Sequence, residues 1–174
     1  GVLPDPNVNG CTDSYPDLES LIDDIDNSVI PEPSANGTIW IMAGSDASIS
    51  DIEIDGSVFT NWSNFNLTLQ GGWDGTATGN VSGASDFSIA LSVINWSGSV
   101  TLNQIAISNT AGTGLEVSTD GDIVLEDVSS SDNGGYGAEL NSTAGSITLN
   151  GTNAFNNNVD TGLYADANGD IQAN

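Results

Sequence analysis

Four stretches in the second half of the chain align beneath one another: GSVTLN at position 98, GDIVLE at 121, GSITLN at 145 and GDIQAN at 169. The intervals are 23, 24 and 24 residues, and self-similarity at such a period is the signature of a repeat architecture. Each stretch opens on glycine and then alternates. Its apolar positions are Val100 and Leu102, Ile123 and Leu125, Ile147 and Leu149, Ile171 and Ala173. This alternation predicts a strand with one buried face. A second register keeps step with the first: GLEV at 114, GAEL at 137 and GLYA at 162 place Leu115 and Val117, Ala138 and Leu140, Leu163 and Ala165 inward. Two strands per repeat are therefore expected.

No helical stretch separates these strands. Short strands and turns recurring every two dozen residues predict a parallel β-solenoid, each repeat forming one coil stacked about 4.8 Å above the last. The consensus leucines of a leucine-rich horseshoe are missing. Upstream, GTIWIMAG at 37, DIEIDG at 51, FNLTLQGGW at 65 and IALSVINW at 89 supply further alternating strands. Within GTNAFNNNVDTGL at 151, Phe155 is expected to point inward at a corner while Asn156, Asn157 and Asn158 shape the turn. Asparagine tolerates the left-handed backbone region, and stacked amides can donate to one coil and accept from the next. SSSDNGGYG makes the same bend one coil earlier with Asp132 and Asn133.

The N-terminal segment has a different period. SYPDLESLIDDIDNSVIPEP spaces Tyr15, Leu18, Leu21, Ile22 and Ile25 for a helix, with Pro16 in the first turn and a stop before Pro31. A short amphipathic helix here would cover the open edge of the first coil. The expected fold is thus all-β, a right-handed parallel β-helix with a short N-terminal capping helix. Residues 1–36 form the arm and cap, and residues 37–174 form about six coils.

Charge restricts the chemistry. The 174 residues contain 24 aspartates and glutamates and no lysine, arginine or histidine. No side-chain ion pair can form, and each carboxylate needs water, a hydrogen-bond donor or a bound cation. Nucleic acid is an unsuitable partner, because binding it relies on basic side chains. Self-repulsion at this charge is relieved by salt, which suits an extracellular setting. The single Cys11 cannot form an internal disulfide. No apolar run reaches the ~20 residues of a membrane span, so membrane insertion is not expected.

The order of capping helix, GTIWIMAG, LTLQGGW and glycine-spaced coils resembles the secreted right-handed parallel β-helices of the pectate-lyase-like superfamily. It is most similar there to long, repeat-rich surface proteins of environmental bacteria such as the Chloroflexi. FNNN followed by GL is also similar to the F-x-x-N and G-G-A-I pair of chlamydial polymorphic membrane proteins. The resemblance implies an extracellular or cell-surface location. Polysaccharide lyases of the fold it resembles remove a proton with a basic side chain, usually arginine; this chain has none. Serine and cysteine nucleophiles lack an activating histidine or lysine for the same reason. A neutral glycan could still be cut by two carboxylates, but no aspartate cluster marks a cleft.

Stacking makes the charge pattern informative. After each repeat glycine come Ser99, Asp122, Ser146 and Asp170, and Glu126 lies between Asn103 and Asn150. Carboxylates in adjacent coils are thereby avoided. Glu116 and Glu139 break this rule, being outward at equivalent positions of neighbouring coils. Such a pair either raises one pKa or holds a cation, with calcium the expected ion. No calcium-loop motif accompanies it.

Seven N-x-S/T sequons occur, at Asn36, Asn61, Asn66, Asn80, Asn95, Asn141 and Asn150. Trp62, Trp73 and Trp96 are candidates either for stacking on sugars or for filling corners. Thr101 and Thr148 recur at one outward position, but Val124 and Gln172 interrupt the threonine ladder that an ice- or mineral-binding surface would need. The expected function is a non-catalytic extracellular structural or adhesive solenoid. GDIQAN keeps a strand register running, so self-association end to end into a filament, or membership of a longer parent chain, is expected. The alternative is a carbohydrate-binding module or neutral-glycan hydrolase.

Overall fold

The computed structural model describes residues 13–76 and 79–174. Cys11 and the start of the N-terminal arm lie outside the described residues. One helix, α1 (Leu18–Asp26), precedes the coils. The first coil contributes β1 (Gly37–Met42), β2 (Gly44–Ser45) and β3 (Ile52–Asp55); the second β4 (Leu67–Trp73), β5 (Ser85–Phe87) and β6 (Leu91–Trp96). The third contributes β7 (Val100–Asn103), β8 (Ile105–Ser108) and β9 (Leu115–Thr119); the fourth β10 (Ile123–Glu126), β11 (Ser129–Ser131) and β12 (Ala138–Ser142). The fifth has β13 (Ile147–Asn150) and β14 (Leu163–Ala167), and β15 (Ile171–Ala173) begins a sixth.

Up to β13 every third strand joins the same sheet, and β14 and β15, each two strands on from its neighbour, rejoin the third and first sheets. The first sheet runs β1-β4-β7-β10-β13-β15, the second β2-β5-β8-β11 and the third β3-β6-β9-β12-β14. All of these pairings are parallel. The chain is an all-β parallel β-helix.

The repeat alignment matches the pairing register. Val100, Ile123, Ile147 and Ile171 stack in one column, and Leu102, Leu125, Leu149 and Ala173 in the next. Val100, Leu102, Ile123, Leu125 and Ile147 are fully buried, whereas Ile171 is half exposed. Leu115–Ala138–Leu163 and Val117–Leu140–Ala165 form the corresponding columns of the third sheet.

Three strands per coil replace the expected two. The second sheet is built from strands of two to four residues, and in the fourth coil that strand is Ser129–Ser131, with Ser130 fully buried. A run of serines carries no apolar alternation, so its strand is silent in the pattern. From the third coil onward the bends on either side of this face each use one residue with positive φ. Gln104 and Asn109, Asp127 and Asp132, and Gly151 and Asn157 hold these places in successive coils. The middle residue of the asparagine triplet is therefore a left-handed turn residue, and Phe155 beside it packs against the core.

The leading glycines answer to crowding. A Cβ on Gly98 would strike the Phe65 carbonyl, one on Gly121 the backbone of Gly98 and Ser99, and one on Gly145 the backbone of Gly121. Coil stacks on coil there with no room for a side chain.

α1 begins later than Pro16 suggests, because Asp17 caps it: its carboxylate accepts the Ser20 N–H at 2.7 Å. Leu18, Ile22 and Ile25 are buried in the same core as Ile52 and Ile54 of β3. The helix is fastened by its own exposed N–H groups, Leu18 N donating to Asp46 Oδ2 at 3.2 Å and Glu19 N to Ser48 Oγ at 3.1 Å.

Candidate functional site on the lateral faces

Backbone amides take the place of the missing cations. Glu19 Oε2 accepts Ile49 N at 2.7 Å and Ser50 N at 3.3 Å, and these bonds hold its carboxyl below the usual range. Glu32 Oε2 accepts Asn61 N and Trp62 N, each at 3.0 Å. Asp55 is held low first by the Asn95 amide and then by the Ser57 N–H.

The most extended device of this kind runs along the corner entering the first sheet. Asn36 Oδ1 accepts Asn66 N at 2.9 Å, Asn66 Oδ1 accepts Ser99 N at 3.1 Å, and Ser99 Oγ accepts Asp122 N at 3.1 Å. Asp122 Oδ1 then accepts Ser146 N at 2.8 Å, and Ser146 Oγ accepts Asp170 N at 3.1 Å. Each coil thus supplies a side-chain oxygen for the next coil's amide. The alternation of serine and aspartate has a positive cause beyond charge avoidance, because every position in the column must offer an acceptor.

The sheet faces divide the remaining charge unevenly. On the third sheet one outward column reads Glu53, Ser92, Glu116, Glu139 and Tyr164. The repeat offsets therefore place Glu116 and Glu139 correctly on adjacent rungs. Partial burial pushes the Glu116 carboxyl up, with further contributions from Glu139 beside it and from Glu53 two rungs away. Among the described residues no group of three or more acidic, histidine or cysteine side chains comes together to enclose a metal ion. The neighbouring outward column adds Asp55 at one end and Asp166 at the other.

The first sheet is different. Its outward columns are Thr38, Thr68, Thr101, Val124, Thr148 and Gln172, and beside them Trp40, Gln70, Asn103, Glu126 and Asn150. Glu126 is the one carboxylate among them. The threonine column is longer than the C-terminal repeats alone suggest, because β1 and β4 extend it. In the amide column Asn103 Nδ2 donates to Gln70 Oε1 at 3.0 Å, and Asn174 Nδ2 donates to Asn150 Oδ1 at 2.9 Å. Asn103 Oδ1 is buried without a hydrogen-bond partner.

Trp62, Trp73 and Trp96 are 2%, 3% and 1% exposed. They fill corners and cannot stack on a ligand. Trp62 packs edge-on against Phe59 and Trp96, with ring centroids 5.7 and 5.3 Å away. Among the four tryptophans the one nearest the surface is Trp40, half-buried on the outer face of β1 and tilted against Trp73 at 6.2 Å, while on the third sheet the exposed Tyr164 pairs with Tyr136 at 6.3 Å. The alternation of GTIWIMAG already assigns Trp40 outward, since Ile39 and Ile41 claim the core.

An open recess between the end of α1 and the turn around Phe59 is lined by Ile25, Val29 and Val58, with Asp26 and Glu32 as its titratable groups. Glu32 accepts the Asn61 and Trp62 backbone N–H groups there. No protein-family model matches the chain, and comparison with curated proteins and with solved structures yields no match.

Proposed function

We propose that this protein is a non-catalytic structural or adhesive β-solenoid of the cell exterior, related to the pectate-lyase-like β-helices in fold and not in chemistry. The observation that carries this reading is the corner ladder from Asn36 to Asp170, which ties each coil to the next and makes the stack a stiff rod with long lateral faces. A sequence with no lysine, arginine or histidine supports it by removing the general bases and nucleophile activators most hydrolases use. α1 covers the edge of the first coil, so head-to-tail stacking through that end requires the helix to move. Lateral contact is the favoured mode of display.

Electron microscopy of the purified protein across salt and calcium concentrations, together with immunogold labelling of producing cells, tests the proposal. Labelled rods or filaments at the cell boundary are expected. Label confined to the cell interior, or sugar released from neutral glycans, would overturn it.

A further inference from the structure

We infer that the outer face of the first sheet binds an uncharged, extended polysaccharide, laid along the solenoid axis so that successive sugars meet successive rungs. The inference deepens the adhesive reading and rests on it.

Charge distribution selects the ligand. The third sheet gathers Glu53, Glu116 and Glu139 in one column, yet the first sheet keeps a single carboxylate, Glu126, of the 24 aspartates and glutamates in the sequence. An anionic glycan is repelled by the molecule as a whole, and a cationic one is drawn to the acidic column. A neutral hydroxylated chain is the polymer for which the first sheet is the better face.

The side chains supply the matching contacts. Threonine offers a hydroxyl and a methyl on each rung of the Thr38–Thr68–Thr101 run. Beside it the amides present donors and acceptors for sugar hydroxyls, and Asn103 Nδ2 uses one of its two N–H groups on Gln70. Trp40 stands at the head of the amide column, where its ring can stack on a pyranose face. The rungs recur at about 4.8 Å, close to the length of one sugar in an extended chain.

Affinity electrophoresis through gels containing hydroxyethyl cellulose, galactomannan or mixed-linkage β-glucan tests this. Retardation by at least one of these polymers is expected, weakened roughly tenfold by W40A and also reduced by N150A, which lies far from Trp40 and outside the buried core. E116Q, on the other face, should migrate with the wild type. Absence of retardation in all three gels overturns the inference, as does a loss confined to E116Q. Thermal hysteresis in freezing solutions without glycan retardation would overturn it in favour of an ice surface. Surface labelling of cells with no retardation would sink this inference alone and leave the structural role standing.

Discussion

Asn133 Oδ1 accepts both the backbone N–H of Thr110, at 3.1 Å, and the Thr110 hydroxyl, at 3.0 Å. The same amide donates to Ser130 Oγ at 3.1 Å, while Asn133 N donates to Asn158 Oδ1 at 2.9 Å in the following coil. Thr110, Asn133 and Asn158 thus form a polar column at the corner, with Asn133 only 1% exposed. Replacing Asn133 by leucine strands the Thr110 N–H and the Ser130 hydroxyl inside the core. The expected cost is about 2–4 kcal/mol, measured as a lowered urea midpoint.

Gly137 faces the same column. A Cβ there would collide with Asn158 Nδ2 and with the carbonyls of Gly162 and Ser130. G137A should lose about 3 kcal/mol. Gly112 has nothing within 4 Å of its would-be Cβ, so G112A should unfold with the wild type. Equal stability of the two variants would show that the corner yields.

The corner ladder makes a prediction about charge order. Ser146 lies between Asp122 and Asp170, so S146D creates three carboxylates in succession where S146N keeps an uncharged acceptor. At low salt S146D should be roughly 1 kcal/mol less stable than S146N, and the gap should close as salt screens the column. Thermal melts across a salt series measure it.

Much of this architecture is legible in the sequence because two signals coincide. Glycines sit where backbones touch, and alternating apolar residues mark the strands, so the columns through Ile123 and Leu140 follow from spacing alone. The second sheet is illegible for a physical reason, since Ser129–Ser131 is held by turn geometry and by buried serine hydrogen bonds instead of apolar alternation. The earlier coils are harder to align because loops of unequal length, such as the one between Trp73 and Ser85, break the period. Adjacency of Glu116 and Glu139 follows from the repeat offset. The near-neutral first-sheet face does not, because it depends on joining Thr38 and Trp40 to coils thirty and more residues away.

Glu116 gives a pH dependence of defined sign. Its folded-state pKa is raised by partial burial and by its glutamate neighbours, so the folded protein keeps that proton to higher pH than the unfolded chain does. Its contribution to stability is present at low pH and is lost as pH rises through the raised value. E116Q should be more stable than the wild type by a few tenths of a kcal/mol near neutrality, with the difference vanishing below the ordinary glutamate range. Asp55 acts in the opposite sense: its lowered pKa gives stability above the usual aspartate range that is lost on acidification. Paired melting curves of E116Q and the wild type against pH separate the two.

The ladder from Asn36 to Asp170 has a direction, with the oxygen always on the earlier coil and the amide always on the later one. A chain emerging from its N-terminus therefore meets an acceptor already in place for each new turn. Because each link joins only neighbouring coils, coils can add one at a time onto any part already folded, the end made first included. A strongly self-repelling polymer then need not collapse all at once.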